Sequence, residues 1–573
     1  MSQHDLVIRQ GTVIDGSGAQ RFVADVAVTD GVITEVGEVS GRGHREVDAD
    51  GRVVQPGFVD IHTHYDGQAT WDAQLAPSSW HGVTTVVMGN CGVGFAPVRP
   101  ADHERLIQLM EGVEDIPGIA LHEGLPWSWQ SFEEYLDYLD TRERDIDLGA
   151  QLPHAAVRLN VMGERAMTQE PATPDDIARM AEIARRAVEA GAVGFTTSRT
   201  LNHKSSLGEP TPTLKAEFDE LVGIAEAVGT TGKGVLQLVT DFIDFDAEFG
   251  LARAMGERSG RPVSISVAQA KAKPDLWKQV LDAMSEATAE GVTMRAQVGA
   301  RPIGLLMGNE CTLSPFMGCP TYNALRARPL PELVAELRRP EVRAAILAER
   351  EQPTSSFALG SRLIDKFHVM YPLGDPPCYE PDPDSNLANE ATRRGVPADG
   401  LVYDLLAGGD GTALIYVPSL NFVEGNLDVV REMLVHPASV PGLSDGGAHV
   451  GTICDVSFPT TLLQWWGRDR PDGRIPLETV IHKQARATAQ AVGFDDRGLI
   501  APGYKADINV VDLDGLTLHR PVIVHDLPAG GRRLLQRVTG YNHTFVSGVE
   551  VAADSESTGA TPGRLVRGQQ TVG

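Results

Sequence analysis

One pattern limits the fold of this chain more than any other: a short apolar run without in–out alternation, repeated along most of its length. It first appears at Val53-Val54-Gln55-Pro56-Gly57-Phe58-Val59-Asp60-Ile61, where a Pro-Gly turn feeds it. Comparable runs follow at 83–88, 194–197, 234–238, 262–267, 292–297 and 414–418. A strand that does not alternate is covered on both faces, as in a parallel sheet flanked by helices. Helical stretches lie between several of the runs, at 174–189, 214–228, 251–259 and 273–290. Strands alternating with helices build a parallel sheet, and over roughly 400 residues closure into an α/β barrel of the (β/α)8 TIM type is expected rather than an open sheet.

The two ends differ in texture. Strand-like segments at 5–8, 12–16, 23–28 and 32–36, with Asp30-Gly31 as a hairpin turn, predict an antiparallel layer of about fifty residues. Strand signals return at 508–511, 538–546 and 548–551. From Ala552 the chain is polar and rich in Gly, Ser and Thr, and this tail is expected to be loosely held. Between about 307 and 400 the rhythm breaks in a segment rich in Pro and Arg with one long helical stretch at 330–351. It reads as an insertion after the seventh strand, serving as a lid, as a contact in a homo-oligomer, or as a solvated excursion.

Composition excludes several partners. A chain of 573 residues is too long for one ordinary compact domain. Its formal charge of −27 argues against a nucleic-acid partner and against an anionic membrane surface. No stretch reaches the roughly eighteen apolar residues of a membrane span. The five cysteines, an odd number with irregular spacing, do not form a disulfide framework. With no basic-then-apolar leader in the first ten residues, a cytoplasmic location and a small-molecule substrate are expected.

Three short motifs carry chemistry. His62-Thr63-His64 closes the first buried run. Alternate strand residues point the same way, so both imidazoles can reach one divalent ion; hydrogen bonds to neighbours would explain the pair equally well. Cys91, in Gly89-Asn90-Cys91-Gly92, follows the second run and is either a small buried hydrophobe or a zinc-binding thiolate. Asp445, in Leu443-Ser444-Asp445-Gly446-Gly447-Ala448-His449, is either a turn residue or a group held where a ligand comes close. Arg199, His203 and Lys204 follow the fourth run and are candidates to bind a substrate carboxylate, as is Arg301 after the seventh. A polar surface loop is the simpler account of the first three.

In this order the motifs resemble the amidohydrolase superfamily, and within it the D-aminoacylases (N-acyl-D-amino-acid deacylases). Arg497-Gly498-Leu499-Ile500-Ala501-Pro502-Gly503-Tyr504-Lys505-Ala506-Asp507 is similar to the superfamily's closing signature. The resemblance implies a composite β-sandwich of residues 1–55 plus 500–573 around a metal-dependent barrel of 56–499. It implies His62, His64 and Asp445 as metal ligands, with Cys91 as a further one, and Asp445 as the group that handles the proton of the attacking water. The family also carries a metal-binding His on the fifth strand and another on the sixth. Here those positions align with Gln237 and Val267, and Val cannot ligate a metal. His203 is a candidate replacement. A single zinc ion is therefore expected, and a second is doubtful.

The implied reaction is hydrolysis of a C–N amide bond, of an N-acyl amino acid or a related small amide. Cyclic amides, lactones and other esters use the same machinery. A metal-poor barrel that binds a small molecule without hydrolysing it is the reading from a different class. Elemental analysis of protein purified without chelator is expected to give one divalent ion per chain rather than two. Two fully occupied sites would show that residues other than those at 237 and 267 complete the second.

Overall fold

The computed structural model describes residues 3–350 and 363–572. Its centre is a series of parallel strands. Phe58–Asp60, Val83–Met88 and Asp147–Ala150 pair in parallel. A second series joins Leu152–Pro153, Gly194–Arg199, Val235–Thr240, Val263–Val267, Met294–Val298 and Ser439–Pro441, again all parallel. The two series meet where the Gln151 amide donates to the Met88 carbonyl at 2.9 Å and the Val193 amide to that of Ala150 at 2.8 Å. Beyond Ser439–Pro441, the Asp445 amide donates to His62 at 3.1 Å and the His64 amide to Gly446 at 2.7 Å. Every residue of Val83–Met88 is buried, as a strand covered on both faces requires.

Helices separate the strands. Pro174–Ala190 starts on a capping box, in which the Thr173 hydroxyl accepts from the Asp176 amide and the Asp176 carboxylate accepts from the Thr173 amide. It ends at Gly191, which takes a left-handed conformation. Its buried Met180, Ala184, Ala187 and Val188 lie on one stripe. Phe218–Thr230, Phe245–Ser259 and Leu276–Ala289 fill the other expected helical stretches. No helix among the described residues is long and apolar enough to cross a membrane. All five cysteines are free, and only Cys378 is exposed.

Three expectations need correction. The run at 414–418 is not one of the parallel strands: Leu414–Pro418 pairs antiparallel with Gly304–Met307 and Tyr371–Leu373. An apolar run records burial but not the direction of its hydrogen-bonded neighbour. The long helix at 330–351 is two helices, Leu330–Leu337 and Pro340–Glu349, and position 351 lies outside the described residues. Pro340 forces Arg339 into an extended conformation (φ −74°, ψ 128°), which ends the first helix. The tail is not loose throughout: Leu565 and Val566 are buried, and the Val566 amide donates to the Leu148 carbonyl at 2.7 Å. The third parallel strand, Asp147–Ala150, carries no apolar run because it opens on a buried carboxylate and contains Gly149.

Strands from both ends of the chain share one sheet. Val53–Pro56 pairs in parallel with His4–Val13 and antiparallel with Ile508–Val511. Leu6, Ile8, Val26, Ile508, Val510 and Phe545 pack together over it. Asp30 (φ 52°) and Gly31 (φ 75°) make the two-residue hairpin between Phe22–Thr29 and Val32–Gly37. The closing motif is anchored by a buried ionic cluster. The Arg497 guanidinium donates to Asp147 at 2.7 Å and to the Thr85 hydroxyl at 2.8 Å, and the Lys505 ammonium lies 3.2 Å from the same carboxylate. Burial works to raise the Asp147 pKa, but Lys505 and Arg497 outweigh it and hold the carboxyl down at about 2.

Because this carboxyl sits below its unfolded value, it stabilises the fold above about pH 4, and that contribution is lost as pH falls through about 2. Arg497→Met keeps the bulk but removes one partner, and is expected to cost about 3 kcal/mol. Calorimetry should show a lower thermal midpoint at pH 7. An unchanged midpoint would mean that Lys505 alone neutralises Asp147.

Candidate metal centre

The side chains of His62, His64 and Cys91 converge where the parallel strands end. Their ligand atoms all lie within 4.8 Å of one another, and all three residues are buried. His62 Nε2 is 3.3 Å from Cys91 Sγ and 3.4 Å from Asp445 Oδ1. His64 Nε2 is 3.6 Å from the same oxygen. His62, His64 and Cys91 therefore face one point, and Asp445 lies beside both imidazoles.

Each imidazole has a polar side chain behind it. His62 Nδ1 lies 2.5 Å from Gln297 Oε1. The amide oxygen can only accept, so the proton is placed on Nδ1 and the Nε2 lone pair faces the centre. The Gln297 amide group in turn donates to Ser264 at 2.8 Å. His64 Nδ1 lies 3.3 Å from Glu114 Oε1. The other oxygen of Glu114 is 3.6 Å from His449 Nε2, which is 3.9 Å from Asp445 Oδ2. Sequence reasoning gave Glu114, Gln297 and His449 no role. His449 was legible as a second ionisable group in the Asp445 motif. Glu114 closes the helix His103–Glu114 and has no local mark.

The backbone is bent to make this possible. Cys91 (φ 55°), Leu443 (φ 60°), Asp445 (φ 51°) and His449 (φ 50°) are all left-handed. Such conformations cost energy in non-glycine residues and cluster at functional sites. Gly89 and Gly92 around Cys91 are forced by close approach: a Cβ at Gly89 would lie 2.2 Å from the Gln151 carbonyl oxygen, and one at Gly92 would lie 2.9 Å from Thr197 Cα.

The electrostatics suit a cation. Burial works to raise the Asp445 pKa, but His64, His62 and His449 hold the carboxyl below its ordinary range, so it is ionised at neutral pH. Burial disfavours a charged His64, yet Glu114, Asp445 and Cys91 raise its proton affinity well above normal. Burial pushes the Cys91 thiol up to about 12, so a thiolate there needs a cation beside it. Both ring nitrogens of His64 and both carboxylate oxygens of Glu114 are buried without a hydrogen-bond partner. Such orphaned atoms are costly, and two imidazoles, a thiolate and a carboxylate are usual zinc donors. The residues present fit a divalent ion.

The centre opens on a cavity of about 460 Å³ lined by His62, Cys91, Asp445 and His449. Of the four residues expected to bind substrate, only His203 lines it; its Nδ1 lies 2.8 Å from the Ser198 hydroxyl, and burial lowers its pKa to about 3. The other three are corrections. The Arg199 guanidinium turns away to donate to the Ala216 carbonyl. Lys204 is exposed and does not line the cavity. Arg301 is buried, packs over the Tyr379 ring at 3.4 Å, and donates at 2.8 Å to the Cys454 carbonyl and to the Ser457 hydroxyl. The two positions aligned with the family's missing histidines are near the centre. Gln237 Oε1 accepts from the Cys91 amide at 3.3 Å, and Val267 lines the cavity.

The sequence matches the amidohydrolase family over residues 45–361 and 418–552. It is 26% identical over 575 residues to a D-aminoacylase of Alcaligenes xylosoxydans xylosoxydans, covering 98% of this chain and 97% of that protein. It is 26% identical over 577 residues to an N-acyl-D-glutamate deacylase of the same organism, covering 99% and 97%. Among solved structures, a D-aminoacylase described for its binuclear metal centre is similar with a TM-score of 0.66 at 22% identity, covering 98% of this chain and 100% of that one. The N-acyl-D-glutamate deacylase of Bordetella bronchiseptica, complexed with zinc and a phosphonate inhibitor, is similar with a TM-score of 0.63 at 23% identity, covering 99% and 100%. The family match spans most of the sequence and contains the converging histidines, so the chain belongs to the amidohydrolase family, hydrolases of carbon–nitrogen bonds other than peptide bonds, and within it is similar to the D-aminoacylases.

Proposed function

We propose that this protein is a metal-dependent hydrolase that cleaves the amide bond of a small N-acyl substrate. The observation that carries the reading is the convergence of His62, His64 and Cys91, with Asp445 beside both imidazoles, at the floor of the cavity. The scaffold is read as a (β/α)8 barrel over residues 56–499 carrying an insertion at about 307–400. A β-sandwich of 1–55 plus 500–573 completes the domain organisation. Support for closure comes from the parallel pairings and from the hydrogen bonds that join residues 445 and 446 to the first strand.

His62, His64 and Asp445 would hold the ion, with Cys91 as the fourth donor. When bound, a divalent ion lowers the pKa of water and polarises a carbonyl. One ion is favoured over two because Gln237 and Val267 stand on the fifth and sixth strands where the resemblance calls for histidines. Asp445, ionised and 13% exposed toward the cavity, takes the proton from the attacking water as its oxygen bonds to the carbonyl carbon. The same carboxyl then gives the proton to the nitrogen as the C–N bond breaks, leaving a carboxylic acid and an amine. Gln297 fixes the His62 imidazole by its hydrogen bond, and the Glu114 carboxylate, 3.3 Å from His64 Nδ1, favours one orientation of the second ring electrostatically.

Asp445→Asn is expected to lower kcat about 10²- to 10⁴-fold, because the amide cannot accept the water proton. The near-isosteric change should leave the circular dichroism spectrum and thermal midpoint close to wild type. Retention of more than about a tenth of the activity would remove Asp445 as the base and make His203 the next residue to test. Glu114→Gln should weaken metal binding about 10- to 100-fold in a zinc titration; unchanged affinity would mean that His64 is oriented without it.

A further inference from the structure

The cavity beside the metal centre is walled largely by apolar side chains. Val239, Phe242, Val267, Trp277, Ile303 and Leu305 give it a broad apolar surface. The acidic side chains among its described lining residues are Glu114, Asp241 and Asp445, and none of those lining residues is an arginine or a lysine. Asp241 is held in place by the Thr200 hydroxyl at 2.6 Å and the Leu201 amide at 2.8 Å. His203, the imidazole on the same side, is kept neutral by burial. Two guanidinium groups that lie close in sequence to lining residues are committed elsewhere, Arg199 to the Ala216 carbonyl and Arg301 to Cys454, Ser457 and the Tyr379 ring.

A carboxylate entering such a site would give up water, meet no arginine or lysine among the described lining residues, and lie near the Asp241 and Asp445 side chains. Burying an unpaired anion is strongly unfavourable. An apolar group of similar size would gain from the same walls. The volume of about 460 Å³ falls in the range of pockets that enclose a drug-sized ligand. We infer that the substrate is a neutral amide carrying a bulky apolar substituent, such as an aryl or medium alkyl group, and that this cavity discriminates against substrates with a free carboxylate beside the scissile bond. This inference rests on the hydrolase reading above and assigns the substrate class of the same site.

The matched pair N-acetyl-2-phenylethylamine and N-acetylphenylalanine differs only in the carboxylate. With zinc-supplied full-length enzyme, kcat/KM for the neutral amide is expected to exceed that for either enantiomer of the acid by at least about tenfold. Equal or faster hydrolysis of the acid overturns the inference. Binding to Asp445→Asn, measured by calorimetry, separates substrate class from chemistry. If the neutral amide binds and the acid does not, the substrate class stands even where no amide is hydrolysed, and it is the hydrolase reading that fails. Tighter binding of the acid, or binding of neither compound, overturns the inference. Leu276→Arg, which places a cation on the half-buried cavity wall, should raise the affinity for the acid and narrow the gap. No change with the folded variant would also count against it.

Discussion

The Asp445 amide donates to the His62 carbonyl, and the His64 amide donates to the Gly446 carbonyl. These two backbone bonds splice the late Asp445 motif onto the first parallel strand. Their consequence is geometric: they set one Asp445 oxygen 3.4 Å from His62 Nε2 and 3.6 Å from His64 Nε2. The splice is held under strain, because Leu443 and Asp445 sit at positive φ. Each such residue costs about 1–3 kcal/mol unless its surroundings over-determine it. Ser444, bonded to both Asp60 and the His62 carbonyl, supplies part of that determination.

The two ends of the parallel strands divide the electrostatic labour. Where Asp147 opens its strand, the buried charges are paired: Arg497 and Lys505 share its carboxylate, and each also meets a second one, Asp496 and Asp507 respectively. That end gains stability and presents nothing reactive. At the opposite end the buried ring nitrogens of His64 and carboxyl oxygens of Glu114 are left without hydrogen-bond partners. A polar network that is incomplete on its own is costly inside a protein, and a cation bound there would relieve that cost.

Orientation of the histidines comes from two unrelated places. Gln297 reaches His62 from the strand Met294–Val298, while Glu114 reaches His64 from the end of the helix His103–Glu114. A neutral amide behind one ring and a carboxylate behind the other make the rings unequal in basicity. Burial lowers the His62 pKa, whereas the anions around His64 overcome burial and raise it.

Much of this was legible along the chain. The buried runs marked six of the parallel strands, because burial on both faces removes alternation wherever it occurs. His62, His64, Cys91 and Asp445 stood out through spacing and glycine context, because a strand end and a tight turn impose local rules on sequence. The third strand and the antiparallel pairing of Leu414–Pro418 were not legible, since pairing direction depends on a partner far away in the chain. The same reason separates the substrate residues. Arg199 and Arg301 follow their strands as cavity residues would, yet a long side chain goes to the best acceptor within reach, and those acceptors (the carbonyls of Ala216 and Cys454) arrive from other segments. Sequence alone determined the strand–helix alternation and singled out His62, His64, Cys91 and Asp445 as candidate donors. Tertiary structure decided which side chains stand behind the donors and what lines the cavity, because both depend on contacts between segments that no local pattern encodes.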